Sequence, residues 1–446
     1  MSSVRRFRLH FLGCKVNQWE TQWLREGLRA LGLDEAEEGE PGDLVVLNSC
    51  SVTGQGGARS RHALRALRRE NPAARLVVTG CYAESDPEVC AAIAGVDRVF
   101  GNGEKGAIVP WVARELLGMD GELPELPRGI SAFAGRTRAF VKIQDGCRDR
   151  CRFCIIPTLR GEVRSRGEDE IVAELERLAA AGHREVVFTG IHLGYYGFDR
   201  REPGALVSLL RRAREVRGLA RAKLSSIEVH EIDDALVELF AGDPEFFVPH
   251  FHLPLQAGCD RTLARMSRRY TTRRFRAAVD LLRSRLEEPA LTTDLIVGFP
   301  GETAEDFEAS RAFCEEIDLA KIHVFPFSPR EGTPAASDPD RVPPAEMARR
   351  KRVMAELDDA GAARFRRRFL GRSVSVLVER GRELRSGRRV GLTDRFCRIE
   401  FPGPAGIGGE LRTVRVTGVV GDRLLGVLEG GAADPVELDQ ASTTGL

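Results

Sequence analysis

From residue 137 to residue 327, strand-like apolar runs alternate with stretches of helical periodicity, and this alternation constrains the fold more than any other feature of the chain. The runs fall at 139–143, 185–189, 222–227, 250–255, 291–297 and 321–327, and segments such as 169–181 and 303–316 between them carry apolar residues at helical spacing. Strands joined by helical crossovers pair in parallel, so six such units predict an open, partial (β/α)6 barrel. Ligands of such folds gather at the C-terminal ends of the strands.

The first of these runs leads straight into Cys147, Cys151 and Cys154, and no further Cys or His follows until His183. Structural zinc almost always takes four protein ligands, whereas a cubane iron–sulfur cluster has four irons, each needing one. Three thiolates at this spacing would leave one iron open, and an open iron is a reaction centre. A structural zinc or a set of buried thiols is the alternative.

Residues 3–117 alternate in the same way, with strand-like runs at 7–12, 44–47 and 76–79 and helical stretches at 18–33 and 59–69, which predicts a doubly wound parallel sheet. Cys14, Cys50 and Cys81 follow the three runs at separations of 36 and 31 residues, which excludes a local zinc-finger spacing. In a parallel sheet, however, all three emerge at one edge. Three small buried residues are the bland reading. Residues 118–135 are rich in Gly and Pro and read as a linker, and 136–366 hold the barrel. Residues 367–430 carry short β-rich runs between Gly-containing turns, expected to close into a small all-β barrel, and 431–446 form a polar tail.

A chain of 446 residues accommodates these three domains at roughly 150 residues each. The 67 basic and 66 acidic residues nearly cancel, so any nucleic-acid contact must come from a local patch. One candidate lies between Arg349 and Arg372, where nine Lys and Arg face three acids and Arg364, Arg366, Arg367 and Arg368 crowd together. Such a run is also what an ordinary solvated face looks like. No run of 18 apolar residues argues for a membrane span, and Gly13, Cys14 and Lys15 interrupt any signal-peptide core, so a cytoplasmic protein is expected. In that compartment ten cysteines serve as metal ligands, catalytic groups or buried thiols rather than as disulfides.

Two barrel segments are further candidates. Gly298, Gly301 and Glu302 lie in a Gly-rich turn after the strand 291–297, where a backbone can approach a ligand closely or merely pack. Glu228 ends the run 222–227, where a carboxylate can hold a ribose hydroxyl or simply be solvated.

The central triad with Ile155-Ile156-Pro157 and Arg160-Gly161 behind it resembles the radical S-adenosylmethionine (SAM) superfamily. That resemblance implies a 4Fe–4S cluster on Cys147, Cys151 and Cys154 whose open iron chelates SAM, with Gly298, Gly301, Glu302, Glu228 and Arg160 around it. An electron entering the sulfonium would release a 5′-deoxyadenosyl radical. Leu12-Gly-Cys-Lys-Val-Asn-Gln-Trp-Glu20, Asn48-Ser-Cys-Ser-Val-Thr53 and Thr79-Gly-Cys-Tyr-Ala-Glu84 resemble the methylthiotransferases of this superfamily, a likeness that runs over about residues 5 to 430. It implies a second 4Fe–4S cluster on Cys14, Cys50 and Cys81 carrying the sulfur, a second SAM giving the methyl group, and an electron donor and a sulfur donor as partners. Gly391-Leu-Thr-Asp-Arg-Phe396 resembles the TRAM module, which implies a terminal barrel that holds RNA.

Within this family, Gly13-Cys-Lys-Val-Asn17 is similar to members that methylthiolate C2 of N6-threonylcarbamoyladenosine beside the anticodon of tRNA. Thr189-Gly-Ile-His-Leu193, Arg265-Met-Ser-Arg-Arg-Tyr270 and His323-Val-Phe-Pro-Phe-Ser328 point the same way. Members acting on isopentenylated adenosine or on a ribosomal-protein aspartate differ at the first cysteine, and a non-catalytic iron–sulfur RNA-binding protein is the remaining alternative. Cys259 departs from the family, which commonly has Ser there. His192, His250, His252 and His323 are expected as satisfied polar residues, and Cys90, Cys314 and Cys397 as core thiols.

Overall fold

The computed structural model describes residues 4–37, 39–51, 54–125, 128–384 and 387–430. The expected polar tail, 431–446, lies outside the described residues, as do Val52 and Thr53 of the second cysteine motif. The chain forms two compact units, one ending at Phe365 and one beginning at Arg366.

The first unit starts with a parallel sheet of β1 (Arg6–Phe11), β2 (Asp34–Glu35), β3 (Leu44–Ser49), β4 (Arg75–Gly80) and β5 (Arg98–Val99), arranged in the order β2-β1-β3-β4-β5. Alternate residues of β3 and β4 enter different cores: Leu44, Val46 and Val77 on one face, Val45, Leu47, Leu76 and Val78 on the other. A sheet buried on both faces needs such continuous apolar runs, and α1 (Lys15–Ala30), α2 (Gly54–Glu70) and the short α3 (Cys81–Ser85) are among its covers.

The barrel strands are β6 (Ala139–Lys142), β9 (Glu185–Thr189), β10 (Arg221–Leu224), β11 (His250–His252), β12 (Ala290–Val297) and β13 (Lys321–Pro326). All their pairings are parallel, and bridges such as Ser226 to His252 join β10 to β11, so spatial order follows chain order. A small antiparallel pair, β7 (Gln144–Asp145) and β8 (Arg164–Ser165), pinches off the loop that holds the central cysteines, with α4 (Ile156–Arg160) inside it. Outside run α5 (Glu168–Ala180), α6 (Ala205–Glu215), α7 (Asp234–Gly242), α8 (Thr272–Arg285) and α9 (Ala304–Ile317). The long α10 (Pro344–Arg367) follows, and its Asp358 accepts from the backbone N–H of Ile322 at 2.7 Å, satisfying part of the edge strand β13.

The barrel strands sort their side chains by face. Val141, Phe188, Leu224, Phe251, Leu291 and Leu295 join the core beneath the helices, while His252, Asp294 and His323 stand on the other face of β11, β12 and β13. A filled barrel would carry bulky branched residues there. This face is not packed: His252 and Asp294 are half-buried and His323 is exposed.

The sequence suggests separate N-terminal and barrel domains, yet the two make one compact unit. Trp19 of α1 lies in the barrel core and donates from Nε1 to Glu174 of α5 at 2.8 Å. Part of the expected linker is packed as well: Ile130 and Phe133 are buried, and Glu26 of α1 accepts from the backbone N–H of Ser131 at 2.8 Å.

The second unit is a closed barrel in the order β14-β15-β16-β18-β17, formed by β14 (Ser373–Glu383), β15 (Arg388–Thr393), β16 (Arg398–Pro402), β17 (Leu411–Val420) and β18 (Arg423–Leu428). Val376, Ile399, Phe401, Val414 and Leu424 are fully buried in it.

Candidate active site

Cys147, Cys151 and Cys154 occupy the loop after β6, at the C-terminal end of the first barrel strand. Gly146 turns into it at a φ of +75°, and a Cβ there would sit 2.0 Å from the carbonyl oxygen of Glu162, so only glycine fits. Gln144, fully buried beneath, donates to the carbonyls of Asp145 and Gly146 at 2.7 and 2.6 Å.

All three thiols are half-buried and free of disulfides. Burial pushes Cys147 up to about 12 and Cys154 up to about 11, and it raises Cys151 against the pull of Arg268. Burial thus disfavours the thiolate form at all three positions, and a bound metal would favour it. The surrounding donors fit a metal–sulfur group: the N–H of Asp149 points at Cys147 Sγ from 3.4 Å and Arg268 Nη1 at Cys151 Sγ from 3.3 Å.

Glu228 reaches the triad through Arg268, accepting from its Nη2 at 2.6 Å. Asp149 accepts from Tyr195 Oη at 2.7 Å and lies 3.1 Å from Nε2 of His192, whose Nδ1 lies 3.1 Å from Glu231. Burial opposes a charge on His192, but the carboxylates of Asp149 and Glu231 on either side of the ring win and raise its pKa to about 10. Sequence reasoning passed over Arg268, Asp149, Tyr195 and Glu231. Two signals were present: Arg268 lies in the motif 265–270, and Asp149 lies between the cysteines.

Cys14, Cys50 and Cys81 follow β1, β3 and β4, three adjacent parallel strands, so they meet at one sheet edge. Gly13 has a φ of +89°, and a Cβ on it would stand 2.7 Å from Cys50 Sγ. Asn17 ties the first two loops together, donating from Nδ2 to the carbonyls of Leu12 and Ser49 at 2.8 and 2.9 Å. Cys14 keeps an exposed surface, but the protein packed around it raises its pKa, with Arg160 opposing and Cys81 adding to the rise.

Several of the expected site residues have partners within the chain. Arg160, expected beside SAM, is buried and turned toward the N-terminal sheet, with Nη1 on Glu20 and Nη2 on Asn17, both at 2.6 Å. Glu302 is buried and accepts from Arg350 Nη1 and from the N–H of Gly298, each at 2.6 Å, so it braces the turn. Side chains already fill the space ahead of the two glycines: a Cβ on Gly298 would meet Met347 at 2.8 Å and one on Gly301 would meet Arg265 at 2.2 Å. The basic run makes no single face either. Arg364 pairs with Asp318 at 2.9 Å, and Arg366 lies about 200° from it around the helix. Arg366 and Arg368 are half-buried and Arg367 is exposed. Cys259 donates its thiol to Asp306 at 3.3 Å, and Cys90, Cys314 and Cys397 are buried.

Comparisons with known proteins agree with this geometry. Residues 141–314 match the radical SAM superfamily and residues 6–101 an uncharacterized protein family, UPF0004. The threonylcarbamoyladenosine tRNA methylthiotransferase MtaB of Bacillus subtilis is 34% identical over 420 residues, covering 91% of this chain and 92% of that protein. MtaB of Chlamydia pneumoniae is 36% identical over 397 residues, covering 89% and 91%. The tRNA-2-methylthio-N(6)-dimethylallyladenosine synthase of Thermobifida fusca is 34% identical over 393 residues, covering 85% and 79%. Among solved structures, the radical SAM methyltransferase TsrM of Kitasatospora setae, with cobalamin and a 4Fe–4S cluster bound, shares the fold at a TM-score of 0.56 and 17% identity, covering 75% of this chain and 77% of that one. A radical SAM core implies one 4Fe–4S cluster and SAM. With the cysteine loops of the N-terminal sheet joined to that core along nearly the whole length of its relatives, the chain belongs to the radical SAM methylthiotransferase family.

Proposed function

We propose that this enzyme methylthiolates tRNA, replacing the C2 hydrogen of N6-threonylcarbamoyladenosine at position 37, next to the anticodon, with a methylthio group. The observation that carries this reading is the pair of three-thiol loops in one compact unit, one at a barrel strand end and one at a sheet edge. Cys147, Cys151 and Cys154 would hold the cluster that binds SAM, and Cys14, Cys50 and Cys81 a second 4Fe–4S cluster. When bound, the first group with SAM supplies one-electron reductive cleavage and the second an exchangeable sulfur.

The rest is work for the chain itself. Arg268 steadies Cys151 and holds Glu228 beside the cluster site. The polar inner face at His252, Asp294 and His323 suits a threonylcarbamoyl group, with its carboxylate and hydroxyl, better than an apolar isopentenyl chain. Lys15, exposed and next to Cys14, offers a cation to that carboxylate. The Cys14 thiol and Asp294 are acidic groups beside it. The terminal barrel is the candidate RNA holder, and a base whose C2 edge is attacked must leave its stack. Among the described residues no helix is long and apolar enough to cross a membrane.

Nucleoside analysis of tRNA after expression in a host lacking the activity tests the assignment. A new methylthio-threonylcarbamoyladenosine signal is expected. Its absence, or a methylthio signal on isopentenyladenosine, would reject the substrate.

A further inference from the structure

Each N-terminal cysteine loop is fastened to the barrel by a contact of its own. Cys14 caps α1, whose Asn17 and Glu20 receive the two Nη groups of Arg160, both at 2.6 Å. Cys50 is followed by Ser51, whose Oγ accepts from Arg330 Nη2 at 2.6 Å. Cys81 packs against Ile155 and Leu159, and Asn102 donates to the Leu159 carbonyl at 2.8 Å while lying 3.8 Å from Cys81 Sγ. Ile155 is the residue after Cys154, and Arg160 ends the helix that begins one residue later. Asn17 meanwhile bonds the carbonyls just before Gly13 and Cys50. One continuous set of directed contacts therefore runs from the central thiol loop to the N-terminal ones.

The chemistry of this seam is unusual for mere adhesion. Glu20 is fully enclosed with Arg160, Lys105 and Lys142. Burial alone would favour its neutral form, but these cations hold its carboxyl well below the usual range. Buried ion networks add little stability compared with apolar packing of the same volume. What they add is direction, because a guanidinium fork accepts only one placement of its two partners.

We propose that Arg160 and Arg330 are positioning residues that set the separation and facing of the two thiol triads, so that sulfur carried on the N-terminal centre meets the carbon activated at the central one. This rests on the proposed reaction. The fork of Arg160 fixes the Cys14 side, and Arg330 fixes the Cys50 side from the loop after β13.

The test uses the full chain, reconstituted anaerobically with iron and sulfide, as wild type, Arg160→Lys and Arg330→Met. Arg330→Met leaves the buried charge network intact and serves if Arg160→Lys fails to fold. Iron content and the signals of both clusters should match wild type, and deoxyadenosine release should stay within about twofold. The methylthio product per SAM cleaved should fall by about tenfold or more, since misplacement by about 1 Å can cost a hundredfold. Magnetic interaction between the two reduced clusters, read as electron-spin relaxation, should change in both variants. An unchanged product ratio with unchanged relaxation overturns the proposal, as does loss of iron in proportion to activity, which marks a purely structural role. A wild-type protein that cleaves SAM without methylthiolating tRNA counts against the reaction itself, while the relaxation measurement still decides the positioning role.

Discussion

Arg268 donates from Nη1 to the Sγ of Cys151 at 3.3 Å while its Nη2 grips Glu228 at 2.6 Å. Arg268 is buried at a cost to its charge, and Glu228 more than offsets that cost. Arg268 thus places a guanidinium and its N–H donor on one of the thiols proposed to hold the central cluster. Such groups raise a cluster's reduction potential, because reduction adds negative charge there. Arg268→Gln should shift the potential of the central cluster to more negative values, on the order of tens of millivolts. Redox titration followed by electron paramagnetic resonance measures this directly.

The two triads should separate under substitution. Cys151→Ala is expected to reduce SAM cleavage to background, since it removes one of three thiolates from the reaction centre. Cys50→Ala should leave cleavage measurable and stop methylthiolation. Deoxyadenosine chromatography and tRNA nucleoside analysis read the two activities, and full methylthiolation by Cys50→Ala would remove the N-terminal cluster from the proposed reaction.

Lys15→Gln removes the cation beside Cys14 without touching a thiol. A hydrogen bond to a charged group contributes about 1.5–3 kcal/mol, so kcat/KM for threonylcarbamoyl tRNA should fall roughly ten- to hundredfold. Activity on tRNA carrying the decarboxylated side chain should change little. Equal losses on both substrates would place Lys15 in a structural role.

His192 gives the apoprotein a pH signature. Its pKa rises from the ordinary 6.5 to about 10 in the fold, so its contribution to stability is complete below about 6.5. As the pH climbs from there through about 10, the unfolded chain gives up this proton before the native one, and the contribution is lost. The slope cannot exceed about 1.4 kcal/mol per pH unit. Urea unfolding of wild type and His192→Gln should therefore converge as pH rises from 6.5 to 9, with the cysteines of the unfolded chain, which titrate at about 8.5, contributing equally to both proteins. A constant difference between them would show that His192 is not held protonated.

The alternation of apolar runs and helical segments was enough to order the barrel strands, because a crossover helix leaves parallel pairing of neighbours as the direct solution. Both cysteine sets were legible for the same reason: each residue follows a strand, and parallel strands share an end. Roles that depend on encounters between distant segments were not legible. Arg160 stands six residues after Cys154, yet its partners Asn17 and Glu20 lie 143 and 140 residues away. Glu302 sits in a glycine turn that looks made for a ligand, but Arg350, 48 residues on, takes its charge. Local pattern determined which elements form and where the thiols emerge, because periodicity and turn chemistry act over a few residues. Only the tertiary structure decided which buried charge faces which, because a charge leaving water takes whatever counter-charge the packing brings within about 3 Å.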